Sequence, residues 1–281
     1  MPQIIDGKEI SMRIKDELKE KVTAMKEAGK KITLAVIQVG NDPASGIYVN
    51  NKKKACEYIG IESLAYELPQ ETTERELLDL VEELNGRSDV NGILVQLPLP
   101  SHIDENKVIQ TIHPSKDVDG FHPQSVGALC IGQSGFVSCT PAGIIQLLKR
   151  SNIEIAGKEC VVIGRSNIVG KPMTLLMIRE NATVTVAHSR TKDLKEVTKR
   201  ADILIVAIGK PKMITKDYVK DGAVVIDVGM HRNEENKLCG DVDYEDVSPI
   251  CSAITPVPGG VGPMTIAMLM NNCVESVKLQ V

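Results

Sequence analysis

The chain has 281 residues, 42% hydrophobic and 25% charged, with a formal net charge of -4, a profile that leaves room for one large folded domain or two smaller ones. Its interspersed charges give no basic field of the kind nucleic acid requires, and no apolar stretch reaches the length of a membrane span. With two Phe, five Tyr and no Trp there is no aromatic platform for stacking single-stranded bases, so neither nucleic acid nor a membrane is expected as a partner.

The first residues, Met1 to Ile10, carry acids and no long apolar core, so no signal or transit peptide is visible. The seven cysteines (Cys56, Cys130, Cys139, Cys160, Cys239, Cys251, Cys273) are scattered singly, without a CxxC pair or a Cys/His cluster at metal-ligand spacing. They read as reduced thiols in a cytoplasmic protein with no metal.

From Ser11 to Gly29, Ile14, Leu18, Val22 and Met25 recur at helical spacing and Gly29 stands where a C-terminal stop belongs. The run Ile32 to Gly40 reads as a strand buried on both faces, followed by a helix from about Ala44 to Tyr58. Strand Ile61 to Leu68 precedes a helix from Thr73 to Asn85, opened by a Thr73–Glu76 capping box, and then strand Gly92 to Gln96. Strands alternating with helices imply βαβ units and a parallel sheet. Leu97-Pro98-Leu99-Pro100 ends the last strand, since proline cannot donate to a ladder.

After a turn-rich stretch from His113 to Gly135, the rhythm restarts with helix Ala142 to Arg150, strand Glu159 to Ile163 and a helix beginning near Lys171-Pro172. Further strands read at Ala182 to Ala187, Asp202 to Ile208 and Ala223 to Val228, and Met264 to Leu279 reads as a closing helix. The expectation is two α/β domains: 1–119 with 259–281, closed by the C-terminal helix, and a Rossmann-like parallel sheet at 120–258.

Strand, glycine-bearing turn and helix start are the parts of a dinucleotide-phosphate cradle, and Val161 to Pro172 contains all three. The loop departs from G-x-G-x-x-G, because Ser166 takes the second glycine's place and Gly170 closes it, so a plain βα turn stays open. After the next strand, Ala187-His188-Ser189-Arg190-Thr191 holds no carboxylate. Together with Arg165 it suits a 2′-phosphate, which favours NADP over NAD.

Tyr48 and Lys52 stand four residues apart on one face of a predicted helix. A lysine that is crowded by positive charge or desolvated loses its proton more easily and can serve in acid–base chemistry. Lys53 and Lys54 follow, however, and from spacing alone a solvated basic face is the reading to prefer. Gln96 interrupts an apolar strand at its end, where ligand crevices form, and Asp117-Val118-Asp119-Gly120 could be only a turn.

These blocks together resemble the methylenetetrahydrofolate dehydrogenase/cyclohydrolase family: Gln38-Val39-Gly40 with Ser45 and Tyr48 to Lys52, Gln96 to Pro100, Lys116 to Gly120, Gly164 to Pro172, and Thr255 to Thr265. The match runs through almost the whole chain. What the resemblance implies is a folate cleft between two domains, with Tyr48, Lys52, Gln96 and Asp119 at the active-site positions and Pro258, Gly259 and Gly260 also on the substrate side. It places Gly164, Arg165, Ser166 and Ser189 at the NADP positions. Met230 stands where the family usually has isoleucine, a mild change in volume.

The resemblance also implies the chemistry. Hydride leaves the methylene carbon bridging two folate nitrogens, which needs alignment more than proton transfer. Hydrolysis of the methenyl product needs protons to move, work for Lys52 with Tyr48 and Gln96 orienting it, while Asp119 anchors the pterin. Tetrahydrofolate one-carbon derivatives are then the substrates, a homodimer the assembly, and one-carbon supply for purine biosynthesis the setting. A short-chain dehydrogenase would place its dinucleotide glycines before the Tyr-Lys pair, and here Gly164 follows it. A non-catalytic nucleotide sensor would have no use for the Tyr-Lys-Gln-Asp set.

Overall fold

Unbroken apolar runs between amphipathic helices can be buried on both faces of a parallel sheet, and two such sheets form here. The computed structural model describes residues 1–41, 43–233 and 235–279; the side chains of residues 43–45, 47 and 279, and so that of Ser45, lie outside the description. In chain order the elements begin with β1 (Gln3–Ile4), α1 (Gly7–Glu27), β2 (Thr33–Val39), α2 (Pro43–Ile59), β3 (Glu62–Leu68), α3 (Glu74–Gly86), β4 (Gly92–Val95), α4 (Glu105–Thr111) and α5 (Pro123–Ile131). They continue with α6 (Cys139–Arg150), β5 (Glu159–Ile163), α7 (Gly170–Arg179), β6 (Thr183–Ala187), α8 (Leu194–Thr198), β7 (Ile203–Val206), β8 (Val224–Asp227), β9 (His231–Arg232), β10 (Leu238–Cys239), α9 (Tyr244–Val247), β11 (Ala253–Ile254) and α10 (Val261–Leu279).

One compact unit comprises Met12–Val137 and Ile266–Val281. Its parallel sheet has the order β3-β2-β4. In the central strand β2 every residue but Gln38 is buried, as its unbroken apolar run predicts. Thr73 and Glu76 form the expected reciprocal capping box at the start of α3, worth about 1 kcal/mol, and Leu77, Val81 and Leu84 turn from that helix into the core. Gly29, at φ 76°, ends the first helical stretch in the left-handed conformation that glycine adopts freely.

The stretch from 113 to 135 contains a helix that its Pro, Ser and Gly content conceals. Pro123 sits in the first turn of α5, where its missing N–H costs nothing; His122 Nδ1 accepts from Gln124 N at 3.1 Å, and Gly132 closes the helix at φ 73°. Asn272 of α10 fastens both ends of this stretch, donating to Val118 O at 2.8 Å and Val137 O at 3.0 Å.

The other unit comprises Met1–Ser11 and Ser138–Thr265. All six strands of its sheet, in the order β1-β11-β8-β7-β5-β6, run parallel, and β9 and β10 form a separate antiparallel pair. Val161, Ile163, Leu204, Val206, Val225 and Ile254 make the centre of its core. The units divide the chain differently from the expected 1–119 with 259–281 and 120–258. Residues 1–11 go with the six-stranded sheet because Gln3 and Ile4 pair with Ala253 and Ile254, and residues 120–137 go with the three-stranded sheet, where Asn272 holds them.

Asn272→Ala would leave two carbonyl groups without their donor. A loss of about 2 kcal/mol in unfolding free energy is expected, read as a lower urea midpoint. An unchanged midpoint would mean that Asn272 is not the fastening.

Candidate functional site

In the three-stranded unit, α2 carries Tyr48 and Lys52 one turn apart. Lys53 and Lys54 are exposed and form the solvated face, whereas Lys52 is only 9% exposed. Its Nζ donates to Gln96 Oε1 at 2.9 Å. Gln96 follows β4, and its Nε2 donates to Leu97 O at 2.6 Å, which fixes the amide with its oxygen toward Lys52. The Leu97-Pro98 peptide bond that follows is cis.

Burial raises the Asp119 carboxyl above its ordinary pKa, and the nearby Lys52 charge works the other way. Tyr48 is half-buried, and burial raises its phenol further, so it stays protonated at neutral pH. Side chains from α2, the end of β4 and the turn after residue 116 thus come together within one unit. The arrangement offers a cation, an amide, a phenol and a carboxyl group to a polar ligand.

In the Lys116–Gly120 turn, Lys116, Asp117 and Val118 have structural roles. Lys116 is buried and donates to Leu84 O, Asn85 O and Arg87 O at 3.0, 2.9 and 2.6 Å, completing carbonyls at the end of α3. Asp117 accepts from Phe121 N, His122 N and Ser125 Oγ at 3.2, 2.8 and 2.9 Å. Gly92 admits this turn against β4, since a Cβ there would stand 2.6 Å from Val118 Cγ1. Asp117 is the turn-former, and the half-buried Asp119 is presented beside Lys52.

In the six-stranded unit the expected cofactor residues all follow C-terminal strand ends, where open parallel sheets bind ligands. From β5 the chain continues to β6 on one side, and β7 lies on the other, so the strand order reverses between β5 and β7. Gly164, at φ 131°, lies at that point, and a Cβ on it would strike Ala207 O. Gly170 is equally confined, by Gly164 O. Ser166 Oγ accepts from Val169 N and Gly170 N at 3.2 and 3.3 Å, so it serves the start of α7.

Arg165 and Ser189 are exposed, and Met230 is 41% exposed. Pro258 is exposed and Gly260 buried, while Gly259 O accepts from Lys8 N at 3.0 Å and so holds that corner to α1. A 440 Å³ groove lined by Glu154, Lys158, Asp202 and Lys220 opens at the N-terminal ends of the strands instead. Its charges pair with one another, Lys220 with Asp202 at 2.7 Å and Lys158 with Glu154 at 3.1 Å, and it lies away from these residues.

Burial pushes the Cys56 and Cys160 thiols up to about 12, which makes them inert rather than nucleophilic. Among the described residues no group of His, Cys, Asp or Glu is arranged to hold a metal ion, and no helix is long and apolar enough to cross a membrane. Sequence reasoning missed Asp227 and Asp241, two buried acids at the ligand-binding edge of this sheet. A signal existed for the first, because Asp227 closes the otherwise apolar strand Val224-Val225-Ile226.

Two family models match the chain: tetrahydrofolate dehydrogenase/cyclohydrolase, catalytic domain, over residues 5–119, and the NAD(P)-binding domain of the same family over 138–281. The bifunctional protein FolD of Lachnoclostridium phytofermentans is 76% identical over 278 residues, 99% of each chain. Among solved structures, the bifunctional FolD dehydrogenase/cyclohydrolase of Campylobacter jejuni superposes with a TM-score of 0.98 at 52% identity, covering 100% of both chains. The Trypanosoma brucei dehydrogenase-cyclohydrolase, complexed with NADP cofactor and inhibitor, gives 0.94 at 37% identity over 100% of this chain and 99% of that one.

Asp117 generates a prediction in pH. Burial raises its carboxyl from 3.8 to about 7 in the folded protein, against the opposing pull of its donors. The folded state therefore holds this proton more tightly than the unfolded chain does, so the stability it contributes is complete below about pH 4 and lost as the pH rises toward 7. Asp117→Asn, followed by thermal unfolding from pH 4 to 8, should lose that part of the downward slope. A slope equal to that of the unmodified protein would mean that Asp117 is already ionised at the acid end.

Proposed function

Because this chain belongs to the tetrahydrofolate dehydrogenase/cyclohydrolase family, we propose that Lys52, Tyr48, Gln96 and Asp119 serve its folate chemistry and that its hydride acceptor is NADP. It is a bifunctional enzyme that oxidises 5,10-methylenetetrahydrofolate to 5,10-methenyltetrahydrofolate and hydrolyses that product to 10-formyltetrahydrofolate. The observation that carries the residue assignment is the buried Lys52 ammonium donating to Gln96 Oε1 at 2.9 Å, beside Asp119.

In hydrolysis the oxygen of water adds to the methenyl carbon, the bond from that carbon to N5 breaks, N5 receives a proton and the formyl group stays on N10. One proton is released overall. Lys52 is the group within this set that can carry protons between water and N5, and Gln96, locked by Leu97 O, holds its Nζ in place. Tyr48, one turn away on α2, adds a phenolic donor. Asp119 can accept from the amino and ring N–H groups of the pterin, which sets where the one-carbon unit lies. Pro258, Gly259 and Gly260 are assigned to the substrate side.

The dinucleotide reading fits the residues present, since Gly164 and Gly170 keep clear the backbone approach that a diphosphate needs. When bound, the dinucleotide accepts the hydride from the methylene carbon. NADP rather than NAD is supported by the exposed Arg165 and Ser189 and by the lack of a carboxylate from His188 to Lys192. Ser166 shapes the loop, and Met230 offers an apolar contact.

We also propose a homodimer formed through the six-stranded sheet. β6 is an edge strand of that sheet with Val186 38% exposed, and Ile178 of α7 is 54% exposed. A cytoplasmic setting is supported by the buried free thiols of Cys56, Cys160, Cys239 and Cys251. There, 10-formyltetrahydrofolate would supply formyl groups of the kind purine biosynthesis consumes.

Lys52→Met keeps the apolar stem and removes the ammonium. Cyclohydrolase activity is expected to fall about 10²-fold or more while dehydrogenase activity remains measurable and methenyltetrahydrofolate accumulates. Enzymatic hydrolysis above the spontaneous blank at the unmodified rate would remove Lys52 from the mechanism. For the cofactor, Arg165→Ala should weaken NADP by about 1.5–3 kcal/mol and NAD much less; equal losses for the two dinucleotides would place the 2′-phosphate elsewhere.

A further inference from the structure

Asp241 is fully buried, and its carboxylate gathers donors from two loops. Oδ2 accepts from Ile208 N at 2.8 Å and Gly209 N at 3.1 Å, and Oδ1 accepts from Lys210 N at 2.8 Å. The fourth donor is His231, whose Nε2 lies 2.8 Å from Oδ1; facing a carboxylate oxygen, that nitrogen carries the proton. Asp227 completes the arrangement, accepting from Gly229 N and Asp241 N on Oδ1 and from Val242 N on Oδ2 at 2.9, 3.0 and 3.0 Å. Its own N–H donates to Thr255 Oγ1 at 2.8 Å. The packing leaves no alternative, because a Cβ on Gly229 would strike Asp241 and one on Gly240 would strike the Asp227 carboxylate.

The two loops are not arbitrary ones. Residues 207–210 leave β7 on one side of the point where strand order reverses, opposite the Gly164 turn, which touches Ala207. Residues 228–231 leave the neighbouring strand β8 and carry Met230. Asp241 turns the N–H groups of 208–210 inward, toward itself, so the backbone of that wall is fixed before any ligand arrives. His231 ties it by a side chain to the segment bearing Met230.

Resting on the reading of this unit as the dinucleotide-binding domain, we propose that the His231–Asp241 contact is a positioning pair for the nicotinamide dinucleotide, holding the β7 and β8 exit loops in register. Neither residue needs to touch the cofactor. Loss of the contact frees the β8 exit loop from Asp241 while the 208–210 wall stays tied to it, so it raises the dinucleotide requirement and leaves folate hydrolysis, which consumes no dinucleotide, in place.

The test is NADPH binding, titrated by the cofactor's own fluorescence, together with steady-state kinetics on the full-length protein. For His231→Ala the Kd for NADPH and the KM for NADP should rise about tenfold, the scale of one hydrogen bond to a charged group, with kcat changed less than about threefold. Hydrolysis of supplied 5,10-methenyltetrahydrofolate, read in the same preparation, should stay within about twofold of the unmodified rate, which a general folding defect would not allow. His231→Gln retains an N–H at similar reach and should recover most of the affinity. NADPH binding by His231→Ala as tight as in the unmodified protein, a parallel fall of both activities, or a glutamine variant as weak as alanine would each overturn the proposal. Failure of the unmodified protein to bind NADPH at all would instead overturn the dinucleotide reading, and this inference with it.

Discussion

A carboxylate that leaves water has to find donors to replace it, and three buried ones in this chain find them in the backbone of loops. Asp117 takes up the N–H groups of Phe121 and His122, Asp227 those of Gly229, Asp241 and Val242, and Asp241 those of Ile208, Gly209 and Lys210. Loops at strand ends are normally the mobile parts of an α/β protein. Here they are fixed by charge-assisted hydrogen bonds, so the residues they carry, Asp119 in one unit and Met230 in the other, start from defined positions. Burial opposes ionisation at both Asp117 and Asp227, raised to about 7 and about 6, which leaves these anchors sensitive to protons as well as to packing.

The two reactions make different demands on such scaffolding. Hydride transfer depends on alignment and draws on the rigidity of loops around the dinucleotide turn. Hydrolysis depends on a group that can carry a proton, and Lys52, proposed for that role, is held by one amide whose own orientation is fixed by Leu97 O. On the proposed assignments, the two steps draw on separate hydrogen-bond networks, one in each unit.

Much of this was legible in the sequence because local physics agreed with the fold. The apolar run of β2, the Thr73–Glu76 capping box and the Gly29 stop are statements about burial and backbone that a few neighbouring residues settle. The distinction between Lys52 and Lys53 was not legible, since charge and spacing are the same for a buried and a solvated lysine and only the packing of α2 separates them. α5 was hidden by its Pro, Ser and Gly residues, and β1 and β11 by being two residues long. A turn at Asp117 to Gly120 was an open reading of the sequence, but the burial of Asp117 depends on Ser125 and the α5 N-terminus, which spacing does not reveal.

The pairing of β1 with β11 bears on the order in which the protein can assemble during translation. Gln3 and Ile4 are made first, and their partners Ala253 and Ile254 follow some 250 positions later. Until those partners are made β1 has no edge to join, while β2, β3 and β4 lie between Thr33 and Val95 and can pair once that stretch has been made. The three-stranded sheet is thus free to close on a nascent chain still attached to the ribosome. The six-stranded sheet gains its first strand last.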